Sequence, residues 1–165
     1  MKTLVVCDSV YGNTAQIARA ITGALGPPDD VQMRQVSEVD VTSLAALDLL
    51  IVGAPTHGGR PSPTMQEFLN KIPANALRNV DVAAFDTRLS AEGRGFWMRM
   101  LLSILGYAAG HIAKGLTRKG GKLVAPAEGF IVEDKEGPLK DGELERAAVW
   151  ARSIQGAMQT LQYAA

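Results

Sequence analysis

The sequence predicts an α/β protein: a doubly wound, five-stranded parallel sheet with helices on both faces. Two observations carry this. Short apolar runs alternate with stretches of period 3.6 from one end of the chain to the other, and strands of a parallel sheet, buried on both faces, read as such continuous runs. The 165 residues suit one domain, 1–165, because a chain of this size buries roughly two thirds of its unfolded surface. No internal repeat, low-complexity stretch or linker divides it.

Strands are predicted at 3–7, 31–36, 48–54, 80–86 and 121–132, the last bent at Pro126. Ile17, Ile21 and Leu25 mark the first helix by their spacing. Met65, Phe68, Leu69 and Ile72 mark another, with Ser62 as N-cap and Pro63 at the first helical position. The C-terminal helix is predicted from the stripe Leu144, Ala147/Ala148, Ala151, Ile154, Met158 and Leu161, after Asp141 as cap and with Glu143 and Glu145 in the first turn.

Ser9-Val10-Tyr11-Gly12-Asn13-Thr14 lies between the first apolar run and the first helical pattern. A strand that ends in small hydroxyl and glycine residues and then turns into a helix aims backbone N–H groups at one spot, at the positive end of the helix dipole. An anion suits that spot. The loop has neither the Lys of a nucleoside triphosphate loop nor the Gly-x-Gly-x-x-Gly spacing of a dinucleotide site, which leaves a phosphomonoester held by neutral donors. An ordinary strand-to-helix turn with a Ser/Asn cap is the alternative. The hexapeptide resembles the phosphate loop of the flavodoxin-like family, whose ligand is FMN. Tyr11 stands where flavodoxins usually carry Thr, which is more like flavodoxin-like quinone reductases.

The resemblance implies strand order 2-1-3-4-5, with the ligand outside the carboxyl ends at the switch between strands 1 and 3. The loops at 8–14, 54–62 and 86–96 leave those ends. The second of them, with Pro55, Thr56, His57, Gly58 and Gly59, resembles the family's second flavin-binding loop. Reduction turns the flavin N5 from acceptor into donor, so a peptide free to rotate, as Gly58-Gly59 would be, can answer with its carbonyl; a plain tight turn is the alternative. The third supplies Asp86, Thr87 and Arg88, completing the expected FMN contacts. No Tyr follows there to cover the ring, and Phe96 and Trp97, the nearest aromatics, could reach back over the flavin but read rather as core or partner surface. Arg60, Arg88 and His57 would stabilise an anionic reduced ring and favour two-electron reduction if their charge reaches it; arginines turned to solvent would be screened instead.

Formal charge is zero overall, but residues 88–122 carry a net +6 and residues 128–145 a net −5. Flavodoxins are usually strongly acidic, so the basic stretch points to a different partner surface. The apolar run 96–105 reads as a buried crossover helix; with its basic neighbours it could instead rest on a membrane surface or a partner, making peripheral membrane contact. The single Cys7 lies within the first strand, and Met1-Lys2-Thr3 leads straight into it without a signal-peptide run; a reducing cytoplasm is expected. The reading favoured is an FMN-binding electron carrier acting on redox partner proteins, with no catalytic residues and no metal of its own. An FMN-dependent NAD(P)H, quinone or protoporphyrinogen oxidoreductase taking a quinone-like substrate is one alternative, and a flavin-free interaction domain another. Nucleic acid is not expected as a partner.

Overall fold

The structure, a computed structural model, describes residues 1–90, 95–97 and 106–163, with 161–163 described by backbone alone. The strands are β1 (Thr3–Cys7), β2 (Val31–Gln35), β3 (Leu49–Pro55), β4 (Asp81–Leu89), β5 (Lys122–Leu123) and β6 (Glu128–Val132). All pair in parallel in the order β2-β1-β3-β4-β5, with β6 also on β4. β5 pairs with Asp81 and Val82, and β6 with Phe85 to Leu89, so the two are consecutive pieces of one strand position. The expected continuous strand 121–132 is thus interrupted around Pro126, which has no N–H to give the ladder.

Each strand splits its side chains between two cores, as period 2 requires. Helices α1 (Asn13–Leu25) and α4 (Glu143–Tyr163) cover the face that presents Val5, Cys7, Ile51, Ala83 and Phe85. Helices α2 (Pro63–Lys71) and α3 (Ala108–Arg118) cover the face of Leu4, Val6, Leu50, Val52 and Val82. Ser62 caps α2 as expected, its hydroxyl accepting from the Met65 N–H at 3.1 Å. Entry into α4 differs from expectation: Gly142, at φ 87°, makes the turn instead of Asp141. Leu144 is 45% exposed, and Trp150 takes the buried place on that helix. Its indole completes an edge-to-face trio with Phe85 and Phe130, centroids 6.1–6.2 Å apart.

β4 runs three residues further than its apolar content suggests, because both neighbours continue the ladder: Pro55 of β3 pairs with Thr87, and Val132 of β6 with Leu89. Asp86, Thr87 and Arg88 therefore stand on a strand and not in a loop. Phe96 and Trp97 are 73% and 75% exposed and meet edge to face at 5.8 Å, which rules out the core half of their reading and leaves the partner surface. Residues 98–105 of the expected crossover helix lie outside the described residues, as do Arg94 and Arg99.

Two contacts generate predictions. A Cβ on Gly53 would stand 2.1 Å from Phe85 Cζ, on a fully buried ring in the paired strand. Gly53→Ala is expected to cost about 1–3 kcal/mol of stability by overpacking, and Phe85→Leu in the same chain should recover part of it; chemical denaturation of the two single variants and the double variant checks this. Glu143 pins β6 to α4: its carboxylate accepts from the Ile131 N–H at 2.6 Å and pairs with Arg146 at 2.5 Å. Burial pushes that carboxyl up, but the Arg146 guanidinium and the Ile131 N–H outweigh it and hold the group below the usual glutamate value. A lowered acid contributes stability above its unfolded value and loses it as pH falls through the folded one. Glu143→Gln should therefore be less stable than the parent at pH 7, with the gap closing below about pH 4 in denaturation series.

Candidate functional site

The carboxyl ends of β1, β3, β4 and β6 enclose a cleft of about 70 Å³ lined by Ser9, Val10, Tyr11, Asn13 and Thr14, by Pro55, Thr56 and His57, by Thr87, Arg88 and Leu89, and by Val132 and Lys135. Larger hollows of about 490 and 600 Å³ lie along the β2 edge, lined by residues such as Gln32, Arg34 and Glu38. The small cleft, however, is where a helix N-terminus and three loops converge.

The first loop is braced from outside. Asp8 donates its N–H to the Gly53 carbonyl at 3.0 Å and accepts from the Ser62 hydroxyl. Gly12 turns the chain into α1 at φ 88°, a conformation that an L side chain rarely adopts. Ser9 Oγ accepts from the Ala15 N–H at 3.3 Å. Among the described residues the N–H groups of residues 10–14 meet no protein acceptor. Those donors end a helix whose dipole adds positive potential. Thr14, 2% exposed, shares a 2.8 Å hydrogen bond with the Thr87 hydroxyl, which joins the loop to β4. Val10 and Tyr11 stay exposed at 62% and 44%.

In the second loop, His57 and Arg60 exchange two backbone hydrogen bonds, at 2.9 and 3.1 Å. Gly58 and Gly59 between them sit at φ 55° and 81°. Positive φ at both central residues defines a type I′ turn. The turn reading of the pair is thus satisfied, in a geometry that glycine alone adopts at no steric cost.

Asp86 does something the sequence did not suggest. Fully buried, its carboxylate accepts from Arg88 at 2.5 and 2.8 Å and from the Ala109 N–H at 2.8 Å. Thr56 Oγ1 in turn accepts from the Ala108 N–H at 3.0 Å. The carboxylate therefore serves as acceptor for the first turn of α3, and Thr56 ties the same turn to the second loop. Burial raises this carboxyl above the usual range, and Arg88 and the N–H contacts pull it partway back. Arg88 itself lies over the Tyr107 ring, 3.6 Å from the centroid, with its side chain 19% exposed. So Asp86 is turned inward to protein groups, while Thr87 and Arg88 line the cleft.

Ten of the fourteen residues expected from the sequence line this cleft. Gly12, Gly58 and Gly59 shape its loops, and Asp86 sits behind it. Leu89, Val132 and Lys135 were missed. The strand order held the signal for them, since the carboxyl end of the fifth strand position faces the same way as the others.

Comparison with known proteins agrees with the fold. A model of the flavodoxin domain matches residues 4–122, more than half of the chain. A flavodoxin of Picosynechococcus sp. is 47% identical over 45 residues, which cover 27% of this chain and 26% of that protein. The structure of oxidised Flavodoxin 1 from Bacillus cereus overlays with a TM-score of 0.73 at 18% identity, over 94% of this chain and 98% of that one. A flavodoxin, WrbA-like protein from Agrobacterium tumefaciens gives 0.71 at 22% identity, over 96% and 98%. At such identities the two structures speak to the fold alone. With the family model matched over most of the sheet and its strand order reproduced, the chain belongs to the flavodoxin family of FMN-binding electron-transfer proteins.

Proposed function

We propose that this chain is a one-electron carrier that holds FMN by the phosphate at residues 9–14, with Pro55 to Gly59 and Thr87 to Arg88 along the ring edge. Bound FMN supplies one- and two-electron redox chemistry. The observation that carries the reading is the set of N–H groups of residues 10–14, unclaimed by protein acceptors among the described residues and gathered at the N-terminus of α1. A cleft of about 70 Å³ suits a phosphate and not a whole flavin, so the ring belongs across the rim.

The electrostatics favour a carrier over a two-electron enzyme. A lone guanidinium about 4 Å from a reduced, anionic ring would contribute on the order of 4 kcal/mol at an effective dielectric of 20. Arg88 is not alone: its charge is met by buried Asp86. Arg60 and His57 are exposed and screened by salt. The Gly58–Gly59 peptide can turn its carbonyl over, since type I′ and II′ turns differ in that peptide's orientation and glycine tolerates both.

For partners, the reading assigns the exposed Phe96–Trp97 pair, within the basic stretch 88–122, to docking an acidic redox protein; a quinone-like substrate is the competing occupant of an open ring face. A cytoplasmic location belongs to the same reading. Cys7, the one cysteine of the chain, is buried in β1 with its thiol pushed up to about 11, by burial first and by Asp8 next, so the thiol is no ready nucleophile.

Thr14→Ala should weaken FMN by about tenfold or more while leaving riboflavin, which has no phosphate, nearly unchanged; fluorescence titration with both ligands checks it, and equal loss for the two would remove the phosphate assignment. Ala at position 58 or 59 strains a positive-φ residue by roughly 1 kcal/mol. Turning the peptide from type I′ to type II′ keeps φ positive at 58, in a region open essentially to glycine alone, but makes it negative at 59. The potential of the first one-electron step should therefore fall for Gly58→Ala and rise for Gly59→Ala, each by roughly tens of millivolts, as about 1.4 kcal/mol corresponds to about 59 mV. A spectroelectrochemical titration giving unchanged potentials in both variants would sink the peptide-rotation mechanism.

A further inference from the structure

The phosphate end of the cleft has a fourth wall, the segment that follows β6. Lys135 lines the cleft together with Ser9, Asn13 and Thr14. The segment is fastened to the phosphate loop at two points. Asn13, 8% exposed, donates its Nδ2 hydrogen to the Glu136 carbonyl at 3.0 Å. Gly137, at φ 107°, passes so close that a Cβ there would stand 2.7 Å from Asn13 Oδ1. Further bonds close the segment on itself, from the Glu133 N–H to the Pro138 carbonyl at 2.9 Å and from the Gly137 N–H to the Asp134 carbonyl at 3.0 Å. Lys135 is thus carried on a braced turn whose position is fixed by a residue of the cradle itself.

Charge gives that position a meaning. The loop 9–14 contains no cation, yet a phosphomonoester carries close to two negative charges at neutral pH. Among the described residues two cations line the cleft, Arg88 and Lys135. Arg88 is taken by Asp86. Lys135 has acidic neighbours in Glu133, Asp134 and Glu136, but none forms an ion pair with it among the described residues. The Asp134 carboxylate instead accepts from the Lys135 backbone N–H at 2.7 Å. The ammonium is left for a ligand.

We propose that Lys135 is a specificity-determining residue: its ammonium pairs with the phosphate of FMN, supplies the charge that the 9–14 loop lacks, and sets the preference for FMN over riboflavin. It also offsets the repulsion that the three flanking carboxylates exert on a phosphate. The inference rests on the FMN reading above and extends it to a loop outside the family's phosphate motif.

The test is a fluorescence titration of the flavin-free full chain with FMN and with riboflavin, at low and high salt, for the parent, Lys135→Gln and Lys135→Arg. Lys135 is exposed, so neither change should disturb folding, which circular dichroism verifies. Lys135→Gln is expected to weaken FMN by about three- to tenfold, as for a charge-assisted contact near the surface. Riboflavin should be unaffected, the salt dependence of FMN binding should flatten, and Lys135→Arg should stay near the parent. Parent-like FMN binding by Lys135→Gln, or equal weakening of both ligands, would overturn the inference while leaving the FMN reading intact. Failure of the parent itself to bind FMN would overturn both.

Discussion

The buried carboxylate of Asp86 is the contact on which the site end of the molecule depends. A charge this deep is costly unless its oxygens are satisfied; Arg88 on the same strand and the Ala109 N–H in the first turn of α3 satisfy them, while Thr56, from the loop after β3, accepts from the neighbouring Ala108 N–H. Those elements must hold their mutual positions for the carboxylate to stay buried. The same strand end then sets Thr87 against Thr14, which carries the arrangement across to the helix that follows β1. Burial on both faces of β1, β3 and β4 supplies the rigid base; Asp86 fixes how the loops above it are arranged.

Much of this was legible in the sequence, for identifiable reasons. Continuous apolar runs such as Leu49 to Val52 marked β1 and β3 within a residue, because a two-faced strand leaves no polar alternation to confuse with a helix. Ser62-Pro63 announced α2 by local chemistry alone. The turn into α1 was readable for the same reason: Gly12 and its hydroxyl neighbours act through backbone geometry set within a few residues. What escaped was set by partners distant in sequence. The polar end of β4 reads as loop until β3 and β6 are seen to flank it. Asp86 reads as a ligand to the cofactor until Arg88, Thr56 and Ala109 surround it. Leu144 and Trp150 both fit helical periods on α4, and only the Phe85–Phe130 pair decides which is buried. Lys135 lies in a run of charges that resembles any solvated turn.

The cleft that results is nearly neutral where a ring would lie and rich in donors where a phosphate would lie. Pairing Arg88 with Asp86 removes most of a charge that would otherwise bias the redox balance, and the stacked Tyr107 keeps that guanidinium in place. On the reading proposed, a phosphate would meet backbone N–H groups, the Thr14 and Thr87 hydroxyls and the Lys135 ammonium. On that reading one end of the site would serve affinity and the other potential, with Thr56 and Thr87 at the junction between them.

The central claim is that the N-terminus of α1 seats the phosphate of FMN. Phosphorus NMR of FMN added to the flavin-free chain reads that seat directly. The account predicts a single displaced phosphate resonance that saturates at one FMN per chain and stays in place through the region near pH 6, where the free phosphate titrates. A resonance that remains at the free position, or that titrates as it does in solution, would contradict it.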